Sequence, residues 1–185
     1  MSRLIMWNLI TLDGFFEGPG KWDLDWHELV WGEELESISI EQLRSADRLL
    51  FGRATYEGMA AYWSSAEGEV ATLMNEIPKV VFSRTLRQVA WENATLVSDD
   101  AAGAVSRLKL AGHGESLVFG SGDLSATLMR YALVDEYRLV VVPVVLGRGT
   151  TLFGRELDRL DLRLLESRPL ASGAVILRYL PKVAR

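Results

Sequence analysis

The chain has 185 residues, no cysteine, two histidines and a formal net charge of −5. The missing thiols exclude a disulfide framework and thiolate metal sites, His27 and His113 are too few for a histidine cage, and no metal is expected. The acidic balance argues against a nucleic-acid partner, which needs clustered Lys and Arg, while 49% hydrophobic and 24% charged residues describe one globular domain over 1–185, burying roughly 70% of its unfolded surface.

Arg3 to Leu12 predicts a first strand, ended by the turn pair Asp13-Gly14. Its apolar run is short and broken by Asn8, which is not the core of a signal peptide, so a cytoplasmic protein is expected. Phe15 to Trp31, with Gly18-Pro19-Gly20 and Trp22, Trp26 and Trp31, reads as a loop folded over something. Glu33 to Ser45 predicts a helix with Leu35, Ile38, Gln42 and Leu43 on one face. Asp47 to Phe51 is an apolar strand. Thr55 to Trp63 and Glu69 to Glu76 are helical, the second halted by Pro78.

Lys79 to Phe82 and Ala94 to Val97 are short strands. Ser98-Asp99-Asp100 then offers caps for a helix carrying Ala101, Val105 and Leu108. Glu115 to Phe119 is a strand, and Gly120-Ser121-Gly122-Asp123 opens a helix carrying Leu124, Leu128 and Tyr131. Tyr137 to Val145 is a long strand. The longest apolar run, Leu139 to Leu146, holds Pro143 and is too short to span a bilayer. Asp161 to Ser167 and Ala174 to Leu180 read as antiparallel strands around Ser172-Gly173. The alternation defines an α/β fold: a three-layer, mostly parallel mixed sheet of about eight strands, helices on both faces, and antiparallel C-terminal strands.

Three junctions belong on the carboxyl rim of such a sheet, where ligands bind. Gly52-Arg53-Ala54-Thr55 offers a helix start, a guanidinium and a hydroxyl, the makings of an anion site. Thr55 as a plain cap is the competing reading. Gly120-Ser121-Gly122 permits close approach of a ligand to backbone but lacks the third glycine of a dinucleotide fingerprint. Asp123 could equally be a cap. Ser83-Arg84 pairs a hydroxyl with a guanidinium and suits a terminal phosphate, or is simply a turn. Two phosphate sites plus a third are what NADPH demands.

Residues Leu9 to Gly14, Leu50 to Glu57, Lys79 to Leu86, Leu133 to Tyr137, Pro143 to Gly147 and Leu152-Phe153 together resemble the dihydrofolate-reductase-like family. They are most similar to the C-terminal reductase domain of the bifunctional riboflavin-pathway deaminase–reductase, over roughly residues 3 to 180. The resemblance implies an NADPH-dependent reductase of a small heterocyclic, carbonyl or imine substrate. One such activity is 5-amino-6-(5-phosphoribosylamino)uracil reduction in riboflavin biosynthesis. By position, Gly52, Arg53 and Thr55 match pyrophosphate and adenosine-side contacts, and Ser83 and Arg84 match 2′-phosphate contacts. Gly120, Ser121, Gly122 and Leu124 match the glycine loop, where dihydrofolate reductases have a Gly-Gly pair joined by a cis peptide. Asn8 matches the nicotinamide position, and Phe15 and Phe16 a loop that covers it. The resemblance also implies a homodimer.

No proton donor is recognisable. Glu33, Glu34 and Glu36 read as a solvated helix face, and Asp13, ending the first strand, is the weak catalytic candidate. His27 and His113 read as surface residues, and Trp22, Trp26 and Trp31 as a subsidiary core or a stacking surface. Arg148 is a loop charge or a substrate-phosphate contact, and Asp135-Glu136 begins a strand and pairs with a basic neighbour. The non-enzymatic alternative is a nucleotide- or heterocycle-binding protein on the same fold.

Overall fold

The computed structural model describes residues 1–154 and 157–182. Ten strands and five α-helices follow in the order β1 (Arg3–Thr11), β2 (Phe15–Glu17), α1 (Glu33–Arg44), β3 (Ala46–Gly52), α2 (Arg53–Trp63), α3 (Glu69–Glu76), β4 (Lys79–Phe82), β5 (Ala94–Val97), α4 (Ala101–Ala111), β6 (Glu115–Val118), α5 (Gly122–Arg130), β7 (Glu136–Val142), β8 (Thr150–Thr151), β9 (Leu162–Pro169) and β10 (Val175–Pro181). Eight strands form one sheet in the order β5-β4-β3-β6-β1-β7-β10-β9. The first six are parallel, and β10 runs antiparallel to both β7 and β9.

This arrangement is the dihydrofolate-reductase-like three-layer fold. Strand β1 is buried on both faces, which explains its almost continuous apolar run. Leu4, Met6 and Ile10 pack with Val105, Leu124 and Leu128 of α4 and α5. Ile5 and Trp7 face the other way, onto Leu43, Tyr56, Val70 and Met74 of α1 to α3. Right-handed crossovers dictate this split. The chain steps outward from β1 to β3, β4 and β5 with helices on one face, then returns to β6 and β7 with α4 and α5 on the other.

Two sequence expectations are corrected. Phe15 to Trp31 is not all loop: Phe15–Glu17 pairs antiparallel with Thr150–Thr151, and Asp25–Leu29 forms a 3₁₀ turn that buries Trp26. A three-residue strand whose partner lies far along the chain leaves no periodicity to read. The buried face of helix α1 is centred differently from the expected stripe: Leu35, Ser39 and Leu43 are buried, with Ile38 and Gln42 only partly so, Ile38 packing against the same cluster as Leu35. The Ser39 hydroxyl escapes an orphaned burial by donating to the Leu35 carbonyl at 2.7 Å.

At the opposite rim from the glycine loops lies an ion network. Glu136 is wholly buried and accepts from Arg138 Nε and Arg178 Nε, each at 2.7 Å, and from Arg3. Arg138 continues to Glu115 and Gln42, and Arg178 to Glu166. The basic neighbours expected for Asp135-Glu136 are therefore several; Asp135 itself meets Lys109 at 2.6 Å. Burial alone would raise the Glu136 pKa, but the guanidinium hydrogen bonds outweigh it and hold the carboxyl down to about 2.

Because this folded value lies below the ordinary 4.5, the carboxylate adds stability above that pH and loses it as pH falls toward 2. Glu136→Gln should cost about 3 kcal/mol at pH 7, since Arg3, Arg138 and Arg178 are then left to share only Glu115 and Glu166. In urea unfolding, the gap between wild type and variant should narrow steadily below pH 4.5. A gap independent of pH would contradict the account.

Candidate functional site

The register of the central strands places the glycine junctions side by side. Met6 and Leu50 both pair with Val118, so Asn8, Gly120 and Gly52, each two residues further on, form one row across β1, β6 and β3. Gly52 in turn pairs with Phe82, the residue before Ser83-Arg84. This row sits where the chain's direction of travel across the sheet reverses, the expected position of a ligand crevice. A cleft of about 880 Å³ opens there.

The row is cross-tied. Gly120 and Ser121 are both left-handed, with φ of 59° and 56°, and the peptide between them is trans. For serine this backbone costs roughly 1–2 kcal/mol. It is over-determined by three hydrogen bonds. Gly120 N donates to Asn8 Oδ1 at 2.6 Å, Ser121 N donates to Thr55 Oγ1 at 2.8 Å, and Gly52 N donates to Ser121 Oγ at 3.0 Å. Thr55 is thus neither a cap nor a free hydroxyl: helix α2 already begins at Arg53, and the Thr55 side chain clamps the glycine loop. Asn8 has one further group. Its Nδ2 is buried without a hydrogen-bond partner among the described residues, a donor left open in the wall of the cleft.

Asn8, Phe16, Gly52, Arg53, Thr55, Ser83, Arg84, Gly120, Ser121, Gly122 and Leu124 all line this one cleft. The N-termini of α2 and α5 border it, bringing unpaired N–H groups and partial positive charge. The Arg53 guanidinium is braced by Glu57 at 2.7 Å and Thr85 at 2.9 Å. Ser83 Oγ accepts from the N–H groups of Thr85 and Leu86, holding the turn after β4. Arg84 is exposed and makes no hydrogen bond or ion pair among the described residues.

Other expectations fare differently. Phe15 is not part of the lining; it is engaged in the β2–β8 pair, and Phe16 faces the cleft instead. Asp13 is exposed and does not line the cleft. Its carboxylate accepts from Thr11 Oγ1 at 2.6 Å and from the Leu146 and Gly147 N–H groups, and these bonds, Thr11 foremost, hold its pKa down. It ties two turns together. Arg148 is exposed outside the cleft, and Glu33, Glu34 and Glu36 do not reach it. Asp123 makes no capping bond; Asp100 does cap α4, accepting from Ala102 N and Gly103 N.

The remaining wall comes from α1 to α3 and the segment before α1: Trp22, His27, Leu43, Met59, Trp63 and Met74 among others. His27, read from sequence as a surface residue, is half-buried, with its ring edge-on to Trp26 at 4.3 Å and Nε2 buried without a partner among the described residues. Burial pushes its pKa down to about 4, so the imidazole is neutral near pH 7. Trp22 lies on the bare backbone of Gly58: a Cβ there would come within 2.5 to 2.6 Å of three indole atoms. A glycine inside a helix costs roughly 1 kcal/mol against alanine, and this one makes room for a tryptophan. That mid-helix glycine, with Thr55, Met59 and Trp63 at intervals of four, was the available signal for this wall.

Strand order, helix placement and a cleft at the reversal define a dihydrofolate-reductase-like protein. Residues 3–176 match the model of the RibD C-terminal domain. The chain belongs to that family, and membership carries a riboflavin-pathway reductase-like role. It is 30% identical over 182 residues to the uncharacterized protein YyaP of Bacillus subtilis strain 168, covering 96% of this chain and 94% of that one. Among solved structures, a protein of Shewanella sp. PV-4 assigned to riboflavin biosynthesis shares the fold at TM-score 0.79 and 22% identity, covering 98% and 99% of the two chains. Enterococcus faecalis dihydrofolate reductase, complexed with NADP(H), does so at TM-score 0.65 and 11% identity, covering 98% and 97%.

Gly58→Ala should drive the Trp22 indole off α2. The tryptophan emission should shift to the red, and the same substitution in a Trp22→Phe background should leave emission unmoved. An unshifted spectrum in the first case would contradict the packing.

Proposed function

We propose that this chain is an NADPH-dependent reductase acting on a small heterocyclic, carbonyl or imine substrate. One observation carries the reading: the three phosphate-compatible junctions, far apart in sequence, line a single cleft. The residues fit the cofactor. Gly52 and Gly122 keep side chains away from two helix N-termini, where a diphosphate is favoured. Arg53 stands beside them, and Arg84 has its full set of donors uncommitted for the 2′-phosphate. The open Asn8 Nδ2 supplies a donor beside the nicotinamide position.

NADPH, when bound, supplies the hydride. The chain's own residues bind, orient and enclose. Ser121 and Thr55 tie the starts of α2 and α5 together before any ligand arrives, so their free first-turn amides need no reorganisation on binding. Phe16, Trp22 and the wall of α1 to α3 exclude water from the reacting face. Helix α1 presents Ser39 and Leu43 to the cleft and no carboxylate, so the proton arrives by another route. Of the titratable groups on the wall, Glu17 is engaged by Trp22 N at 2.7 Å, Lys21 is drawn toward Glu57 at 3.9 Å, and His27 is neutral. A homodimer belongs to the same reading: β9 is an outermost strand with one edge unpaired, and Leu164 and Leu165 are exposed on it.

Tryptophan-fluorescence titration should give saturable NADPH binding. Arg84→Ala should weaken NADPH by about tenfold or more, roughly 1.4 kcal/mol, while leaving NADH nearly unchanged. Equal losses for both would reject the 2′-phosphate role, and no saturable NADPH binding would reject the function. Light scattering should return a dimer mass; a monomer mass would reject the dimer.

A further inference from the structure

The segment between β2 and α1 bends sharply beside helix α2. Trp22 stands in left-handed backbone, with φ of 61°, a conformation that costs a side-chain-bearing residue roughly 1–2 kcal/mol. Three contacts over-determine it. Trp22 N donates to Glu17 Oε1 at 2.7 Å, Gly18 N donates to the Asp23 carbonyl at 2.9 Å, and the indole lies on the bare Gly58 of α2. Backbone strain held in this way asks for a functional reason. The residue it fixes beside α2 is Lys21.

Glu57, one turn into α2, stands between two cations. Its Oε1 accepts from Arg53 Nε at 2.7 Å, and its Oε2 lies 3.9 Å from Lys21 Nζ. The first contact is a hydrogen bond and the second is too long to be one. The Lys21 side chain is 77% exposed, and its ammonium makes no hydrogen bond among the described residues. Arg53 is more committed, since Nη1 also donates to Thr85.

The charge on the cleft shows what a free ammonium is for. Among the described lining residues, the cations Lys21, Arg53 and Arg84 face the carboxylates Glu17, Asp99, Asp100 and Asp123. NADPH would bring a doubly charged diphosphate and a 2′-phosphate of nearly equal charge. With Arg84 given to the 2′-phosphate, the diphosphate has only Arg53, which Glu57 already half-neutralises.

We infer that Lys21 is a second ligand of the cofactor's diphosphate. A phosphate seated at the first turn of α2 draws the ammonium off Glu57 and onto itself. This rests on the NADPH reading. Lys21 serves the diphosphate and not the 2′-phosphate because it shares a carboxylate with the arginine that opens α2, whereas Arg84 follows β4.

The test is calorimetric titration of the full chain with NADPH and with NADH, no other ligand being present. Lys21→Gln should weaken both by the same factor, about three- to fivefold, the upper range for one exposed ion pair. Lys21→Arg should bind both as the wild type does. The gap between wild type and Lys21→Gln should close as salt rises from about 0.01 M to about 1 M, over which the screening length falls from roughly 30 to 3 Å. A loss that came from a disturbed loop would persist. Unchanged affinity in Lys21→Gln, a loss confined to NADPH, or a loss that high salt leaves intact would each overturn the inference. Failure of the wild type to bind NADPH would instead bring down the cofactor reading, and this inference with it.

Discussion

A serine held in left-handed backbone is the constraint on which the site depends. Ser121 adopts that conformation because its N–H is taken by Thr55, its hydroxyl accepts from Gly52, and the preceding Gly120 N–H is taken by Asn8. Each of those partners comes from a different element: Asn8 from β1, Gly52 from the end of β3 and Thr55 from the first turn of α2. The three ties convert parallel-strand register into a fixed frame beneath the helix starts of α2 and α5, and they hold local strain that no isolated tripeptide would tolerate. The serine hydroxyl does what a second glycine could not, since it reaches back to pin β3.

The same economy of placement explains the division of the cleft. Parallel strands end on one rim, so helix N-termini and the residues that follow the strands gather there. The apolar wall arises differently, from the inner faces of α1 to α3 and a tryptophan that rests on the glycine of a neighbouring helix. Charge therefore concentrates where backbone dipoles already favour an anion, and aromatic surface where they do not. At the other rim the buried Glu136 network ties β1, β6, β7, β9 and β10 together. The glycine row thus rests on a sheet fastened at its far end.

Much of this was legible in the residues. Buried parallel strands announce themselves as apolar runs closed by glycine, and the order of elements followed from where those runs fall. Gly52, Arg53, Ser83, Arg84, Gly120 and Gly122 could be named because rim residues in such a sheet converge whatever the intervening chain. What stayed hidden needed three-dimensional proximity. Thr55 as a clamp depends on Ser121, 66 positions away. His27 looked like a loop residue because a 3₁₀ turn leaves too little periodicity to show which side is buried. Asp13 looked like a site residue because it follows the first strand, yet its carboxylate is spent on the turn at Gly147.

The account stands or falls on where a dinucleotide sits relative to Ser121. A crystal structure with NADP⁺ should show the diphosphate against the first-turn amides of residues 53–55 and 122–124, the 2′-phosphate at Ser83-Arg84, and Ser121 still left-handed. A cofactor seated away from that row, or a glycine loop that abandons its bonds to Asn8 and Thr55 to receive it, would contradict the account.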